Sequence, residues 1–141
     1  MLQIVEIRKN YIPDLQRIFL EVRQKTFYWV DTENYNLTDF EHETEGEFVL
    51  IALFDEKVAG FISLWLRDNF IHHLYIDEEY QHKNIGTKLL EEAVKIMNSP
   101  ITLKCLIKNT NAIAFYRKNG FAAIEKGNSN HGEYILFALA K

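Results

Sequence analysis

The segment that decides the fold is residues 75–90, which read YIDEEYQHKNIGTKLL. Its first two residues end an apolar strand that begins at Phe70, and a polar loop follows from Asp77 to Asn84. From Ile85 onward, apolar residues recur at helical spacing as far as Met97. A helix that starts directly after such a loop presents unpaired N–H groups and a partial positive charge to it. The segment therefore predicts a phosphate-binding loop.

The residues of the loop suit an anion. Gly86 lacks a Cβ, so an anion can approach the backbone closely. Asn84 is one of the few residue types that tolerate the left-handed conformation common in such loops. His82, Lys83 and Lys88 add positive charge. The spacing fits neither a Walker phosphate loop nor the dinucleotide-binding fingerprint.

Hydrophobic patterning on both sides of this segment predicts an α/β sandwich, a mixed sheet with helices on both faces, in one domain of 141 residues. The element order is β-α-α-β-β-β-α-β-α-β-β. Predicted strands cover Gln3–Arg8, Phe48–Phe54, Val58–Leu66, Phe70–Ile76, Ile101–Ile107, Phe121–Glu125 and Tyr134–Leu139. Predicted helices start at Pro13, within Thr26–Glu47, at Ile85 and at Asn109, and the last is closed by Gly120.

A second segment, residues 109–121, reads NTNAIAFYRKNGF. It resembles the Asn-x-x-Ala-x-x-Phe-Tyr-x-x-x-Gly-Phe signature of the GNAT superfamily of N-acetyltransferases. The earlier loop resembles motif A of the same family, (Gln/Arg)-x-x-Gly-x-(Gly/Ala), with Gln81, Asn84 and Gly86 at its three positions. Asn84 departs from the family's usual Gly at a sterically tolerable place. The resemblance covers the whole chain, because the order of strands and helices also matches.

This resemblance implies a mostly antiparallel sheet of about seven strands, and acetyl-coenzyme A as co-substrate. Backbone groups at the end of the fourth strand would bind the pantetheine arm and the acetyl carbonyl, and Tyr116 would protonate the departing thiolate. Asn111 matches an Asn that binds the cofactor arm, and it also suits a helix N-cap. The implied cofactor contacts are Leu74, Tyr75, Ile76, Gln81, His82, Lys83, Asn84, Ile85, Gly86, Thr87, Asn111 and Tyr116.

The general base does not follow from the resemblance. Many members carry a Glu at the position of Phe70, which cannot take a proton. His72 lies two residues later on the same strand face, and we predict that it is the base, whereas His73 should point to the opposite face. The alternatives are that both histidines are structural and water takes the proton, or that Glu47 or Glu133 acts.

The stretch Thr26–Glu47 corresponds to the variable region that covers the acceptor site in this family. Its aromatic and acidic residues suit a small, cationic primary amine, with Trp29 and Tyr35 as the candidate contacts. Packing on the core is the alternative for both rings. Cys105 fits either a buried core position or, less simply, an acyl-cysteine intermediate. The competing functions are a peptide or protein acetyltransferase, a non-catalytic acyl-coenzyme A-binding module, and an interaction domain without a cofactor.

Composition excludes several other classes. The net charge of −4 and the pI of about 5.7 leave no basic excess for nucleic acid. No apolar run approaches the roughly 20 residues of a membrane span, and the alternating N-terminus predicts a cytoplasmic protein. The histidines at 42, 82 and 131 show no metal-ligand spacing, so no metal is expected. A homodimer through the late strands is compatible with the pattern.

Overall fold

The fold is built on one seven-stranded sheet in a computed structural model that describes residues 1–31 and 33–140. The strands are β1 (Leu2–Glu6), β2 (Phe48–Phe54), β3 (Lys57–Trp65), β4 (Phe70–Ile76), β5 (Ile101–Leu106), β6 (Ala122–Ser129) and β7 (Gly132–Leu139). The α-helices are α1 (Ile12–Thr26), α2 (Asp39–Thr44), α3 (Ile85–Ile96) and α4 (Thr110–Lys118). The predicted order of strands and helices is confirmed.

The sheet has the strand order β1-β2-β3-β4-β5-β7-β6. Neighbouring strands run antiparallel, except that β4 and β5 are parallel. A parallel pair needs a crossover between its strands, and α3 supplies it. The predicted fold class, a mixed and mostly antiparallel sheet with helices on both faces, is therefore confirmed.

Each face of the sheet carries its own hydrophobic core. On one face, Leu89 and Ala93 of α3 are fully buried against the sheet with Ile62 and Leu64. On the other face, α1 and α2 bury large side chains against β2 and β3, namely Leu15, Ile18, Phe19, Phe40, Ile51 and Phe61. Burying one such side chain contributes about 1.5–3 kcal/mol, so the two layers fix the helices on the sheet.

Two element ends show what the pattern could and could not predict. Pro13 lies in the first turn of α1, where its missing N–H costs nothing. β6 extends to Ser129, four residues beyond the predicted end, because the polar residues 126–129 continue to pair with β7. β6 is the exposed edge of the sheet, so its sequence carries no burial signal.

Among the described residues, no helix combines the length and apolar character that crossing a membrane requires.

Candidate active site

A cleft opens where β4 and β5 separate. The two strands pair only at their beginnings, Phe70 with Thr102 and Ile71 with Leu103. Beyond these pairs the two strands diverge, and a cleft of about 690 Å³ lies beside the end of β4. The segment after β5, α1 and the N-terminal ends of α3 and α4 also line it. Backbone groups near the end of β4 that have no β5 partner are thereby open to a ligand.

The loop before α3 has the conformation that the sequence predicts for anion binding. Asn84 is the N-cap residue of α3 and is left-handed, with φ 61° and ψ 20°. His82 is also left-handed, with φ 66°. The first turn of α3 contains no acidic residue, and no side chain caps it. Its N–H groups therefore face the cleft with the positive end of the helix dipole behind them.

Gly86 lies in that first turn. Its backbone conformation is open to any residue, so its significance lies in the room left by the missing side chain. A Cβ added at Gly86 would lie 3.5 Å from the Phe115 ring and 3.8 Å from Ile76 Cγ1, which are ordinary contact distances. The protein's own packing therefore does not require glycine there. The absence of a side chain at Gly86 keeps this part of the cleft wall open to a ligand.

Most of the predicted cofactor-contact residues line this cleft. They are Leu74, Tyr75, Ile76, Gln81, His82, Asn84, Ile85, Gly86, Thr87, Asn111 and Tyr116. Gln81 has a second role, because its side-chain amide donates to the Ile76 carbonyl at 3.2 Å and closes the loop. Lys83 is not among the lining residues, and its ammonium lies 5.6 Å from the centre of the Phe54 ring.

Basic side chains that the sequence analysis did not identify supply positive charge to the cleft. They come from α1, from α4 and from the loop before α4, namely Arg17, Lys25, Lys108 and Lys118. Arg17 is held 3.0 Å from Asp77, and Lys25 pairs with Glu78, so α1 is tied to the loop that follows β4. These contacts join residues 53 and 60 positions apart, which explains why no local pattern reveals them.

α4 brings Tyr116 to the wall of the cleft. The Tyr116 ring packs edge-on against Phe115 and Phe121, and the side chain is buried. Burial raises the pKa of its phenol above the usual value, so the hydroxyl stays protonated throughout the ordinary pH range. Within the described part of the chain, no hydrogen bond to this hydroxyl is present. It is therefore free to donate to a bound ligand.

The alternative role considered for Asn111, that of helix N-cap, is wrong. Asn109 caps α4 instead, and its side chain accepts a hydrogen bond from the Ala112 amide at 3.4 Å. Asn111 belongs to the first turn of the helix, is exposed and lines the cleft. Since the cap is already supplied, its amide is available to a ligand.

Cys105 is a buried thiol on β5. Burial raises its pKa to about 11, so almost none of it is thiolate at neutral pH. Its sulfur lies 3.7 Å from the Leu106 carbonyl and within the core cluster that contains Tyr116. The arrangement favours the core role over the acyl-cysteine intermediate.

The predicted orientation of His73 is wrong because β4 carries a β-bulge. Ser63 pairs with His73 and Leu64 pairs with Ile71, so His72 is the extra residue. A bulge breaks the alternation of side chains along a strand. The two imidazole rings consequently lie side by side, with their centroids 3.8 Å apart and their planes inclined by 34°. His73 is buried against Phe19, whereas His72 is partly exposed.

Each histidine is held through its Nδ1 atom. Nδ1 of His72 lies 2.6 Å from Glu47 Oε2, and Nδ1 of His73 lies 2.9 Å from Ser63 Oγ. A carboxylate only accepts hydrogen bonds, so His72 donates from Nδ1, and the nitrogen that can accept a proton is Nε2. Glu47 was one of the alternative bases considered from the sequence, and the structure places it behind His72.

The carboxylate of Glu47 is deeply buried. Its side chain is 6% exposed, and among the described residues Oε1 has no hydrogen-bond partner. Glu43 lies on the other side of the histidine pair, with Oε1 3.4 Å from His73 Nε2 and Oε2 3.5 Å from Arg23. The hydrogen bond to His73 lowers the pKa of Glu43, which keeps it ionised. Two carboxylates therefore give the surroundings of the bulge a negative charge.

The two aromatic residues predicted to contact the acceptor already have intramolecular partners. The Trp29 indole N–H donates to the His131 carbonyl at 3.0 Å, which ties this segment to the β6–β7 turn. The Tyr35 ring lies 4.2 Å from the Arg23 guanidinium carbon. Neither residue lines the cleft, whereas their neighbour Tyr28 does.

Comparisons with known proteins agree with this geometry. The family model described as "Acetyltransferase (GNAT) family" matches residues 9–121. A spermidine N(1)-acetyltransferase from Thermoplasma acidophilum is 30% identical over 151 aligned positions, which cover 89% of this chain and 93% of that protein.

Solved structures show the same fold. The PaiA N-acetyltransferase from Thermoplasma acidophilum, in complex with coenzyme A, has a TM-score of 0.81 at 24% identity, covering 100% of this chain and 99% of that one. A GCN5-related N-acetyltransferase from Rhodopseudomonas palustris has a TM-score of 0.83 at 18% identity, covering 99% and 95%.

Proposed function

Because the chain belongs to the acetyltransferase (GNAT) family, we propose that it moves an acetyl group from acetyl-coenzyme A to the primary amine of a small cationic molecule. The observation that carries the proposal is the cleft between β4 and β5. It joins an anion-binding loop, a strand end with open backbone groups and a protonated tyrosine in one space.

The residues of the cleft fit acetyl-coenzyme A. The first turn of α3 suits the pyrophosphate, and Lys108 and Lys118 on the α4 side of the cleft suit the remaining phosphate. The strand-end backbone from Leu74 to Ile76 suits the pantetheine arm, as does the amide of Asn111. A backbone N–H of this strand would donate to the acetyl oxygen as charge develops on it.

The reaction is a direct attack with both substrates bound. An alkyl ammonium is mostly protonated at neutral pH and must first lose a proton. His72 takes this proton on Nε2 through water, because its ring is not among the residues that line the cleft, while Glu47 holds the opposite side of the ring. The neutral nitrogen attacks the thioester carbon, and the carbon–sulfur bond breaks. Tyr116 donates its proton to the leaving thiolate, and solvent takes the second amine proton and restores the tyrosine.

The charges near the bulge support a cationic acceptor. Glu43 and Glu47 place two carboxylates beside the histidine pair, and Arg23 offsets part of their charge. The relative named as a spermidine acetyltransferase acts, by its name, on a polyamine. We therefore propose diamines and polyamines as the first acceptors to test. The cytoplasmic location and the homodimer stay predictions.

The test is an acetyl-transfer screen that follows release of free thiol from acetyl-coenzyme A in the presence of single amines. The competing acceptor classes are covered by four amines: spermidine, a short diamine, an amine without a second charged group, and a lysine peptide. Acetylated diamine or polyamine detected by mass spectrometry would support the proposal. Preferential acetylation of the peptide would favour the protein-acetyltransferase alternative. Cofactor binding without any transfer would favour the non-catalytic module.

A further inference from the structure

Three potential metal ligands converge at the bulge of β4. One ligand atom from each of Glu43, His72 and His73 lies within 4.8 Å of the other two. Glu43 comes from α2, and the two histidines come from the strand. On a regular strand, consecutive histidines point to opposite faces and could not share an ion. The bulge removes that obstacle by placing the rings side by side.

Both imidazoles are held in the way that metal-binding histidines usually are. Such a histidine binds the ion through one nitrogen, and its other nitrogen is held by a carboxylate, a carbonyl or another polar group. Here Nδ1 of His72 is held by Glu47 and Nδ1 of His73 by Ser63. The Nε2 atoms are the ones left for a ligand, and that of His73 already faces Glu43.

The buried carboxylate of Glu47 also favours a cation at this place. The side chain of Glu47 is buried with one oxygen unpartnered among the described residues, and its other oxygen lies 2.6 Å from Nδ1 of His72. A buried carboxylate without a balancing charge is costly.

We propose that Glu43, His72 and His73 form a binding site for a divalent transition-metal ion, with Zn²⁺ as the best match. Two imidazoles and one carboxylate form the donor set that zinc accepts with one position open to water, whereas Mg²⁺ and Ca²⁺ prefer oxygen ligands. Glu47 would act behind His72 as the supporting carboxylate. This proposal does not depend on the acetyltransferase reaction.

Closing the site requires the side chains of His72 and Glu43 to rotate toward His73. Tetrahedral zinc with ligands at about 2.0–2.1 Å needs ligand atoms about 3.3 Å apart. His73 and Glu43 are 3.4 Å apart already. The side chains of His72 and Glu43 are 39% and 43% exposed, so they can rotate without disturbing the core. The ion would occupy the same Nε2 lone pair that the proposed reaction uses, so it would inhibit acetyl transfer.

The test is metal binding by the full-length protein after treatment with a chelator and without acetyl-coenzyme A. Calorimetry with Zn²⁺ gives stoichiometry and affinity, and Co²⁺ gives visible absorption bands that intensify on tetrahedral coordination. His72→Ala and Glu43→Gln remove one ligand each, and Glu47→Gln removes the supporting charge. His42→Ala is the matched control, because this exposed histidine is adjacent to Glu43 on α2 and outside the cluster.

We expect one Zn²⁺ per chain and intense Co²⁺ bands in the wild type and in His42→Ala. Affinity should fall at least about 10-fold in each of the other three variants, as for other ligand and supporting-residue changes. Absence of binding in the wild type, or equal affinity in all four variants, would overturn the metal site. Either result would leave the acetyl-transfer proposal untouched, because no activity is measured.

Discussion

Tyr116 allows the proposed chemistry to be tested with the loss of one atom. Tyr116→Phe removes the hydroxyl and keeps the ring, which packs against Phe115, Phe121 and Phe137. No protein partner of this hydroxyl is present in residues 1–31 and 33–140, so its loss leaves no broken hydrogen bond. We therefore expect the free energy of unfolding to change by less than about 0.5–1 kcal/mol.

The expected loss of rate follows from the pKa of the phenol. General acid catalysis contributes about 10²- to 10⁴-fold. Burial raises the pKa of Tyr116 above the usual value of about 10, whereas a thiol titrates near 8.5. The phenol is therefore a weaker acid than the thiol that it protonates, which makes proton donation by Tyr116 less effective than donation by an acid of matched pKa. We place the effect at the lower end of the range, about 10²-fold in kcat.

The assay is steady-state thiol release with a saturating amine, combined with acetyl-coenzyme A binding and a melting curve. Tyr75→Phe is the matched control, because it removes the same atom from a partly buried tyrosine that lines the cleft from β4. We expect Tyr75→Phe to change kcat by less than about threefold, since only the backbone of this residue has a proposed role. A Tyr116→Phe protein that is folded, binds the cofactor and keeps kcat within threefold would refute the general-acid assignment.

Three further changes test other parts of the site. Gly86→Val should weaken acetyl-coenzyme A binding at least about 10-fold, because a branched side chain fills the face of α3 that lines the cleft. Titration calorimetry measures the affinity, and circular dichroism should show an intact fold. Gly86→Ala, whose Cβ fits beside Phe115, should lose less affinity. His72→Ala should lower kcat while His42→Ala should not, and equal rates in the two would assign the proton to water. Cys105→Ser should retain activity. Alkylation of Cys105 at pH 8 should be about 10²-fold slower than that of an ordinary thiol, because the pKa of Cys105 is about 11. Loss of activity in a folded Cys105→Ser protein would favour the acyl-cysteine intermediate.

Local sequence signals predicted the fold because each element follows its own periodicity. The apolar run of Phe48–Phe54 and the helical repeat after Ile85 are readable without tertiary information, and both elements begin at the predicted residues. The loop prediction rested on residue types that favour a left-handed backbone, and Asn84 has that backbone. The GNAT resemblance drawn from these segments is confirmed by the family match over residues 9–121.

The features that the sequence did not reveal are long-range. The bulge at His72 depends on how β4 pairs with β3, and no residue in β4 signals it. The pairing of Glu47 with His72 joins residues 25 positions apart. The contact between Trp29 and the His131 carbonyl spans 102 positions, so a sequence pattern could not distinguish an acceptor-binding ring from one that ties the segment to the β6–β7 turn.

The most direct measurement is a single reaction of the full-length protein with acetyl-coenzyme A and spermidine, in which free thiol and acetylated amine are quantified in parallel. If the cleft between β4 and β5 brings both substrates together, the two products should form in equal amounts in the wild type and at about 10²-fold lower rate in Tyr116→Phe. Thiol release without acetylated amine from spermidine or any other amine would contradict the proposed transfer. Equal rates in the two proteins would contradict the role proposed for Tyr116.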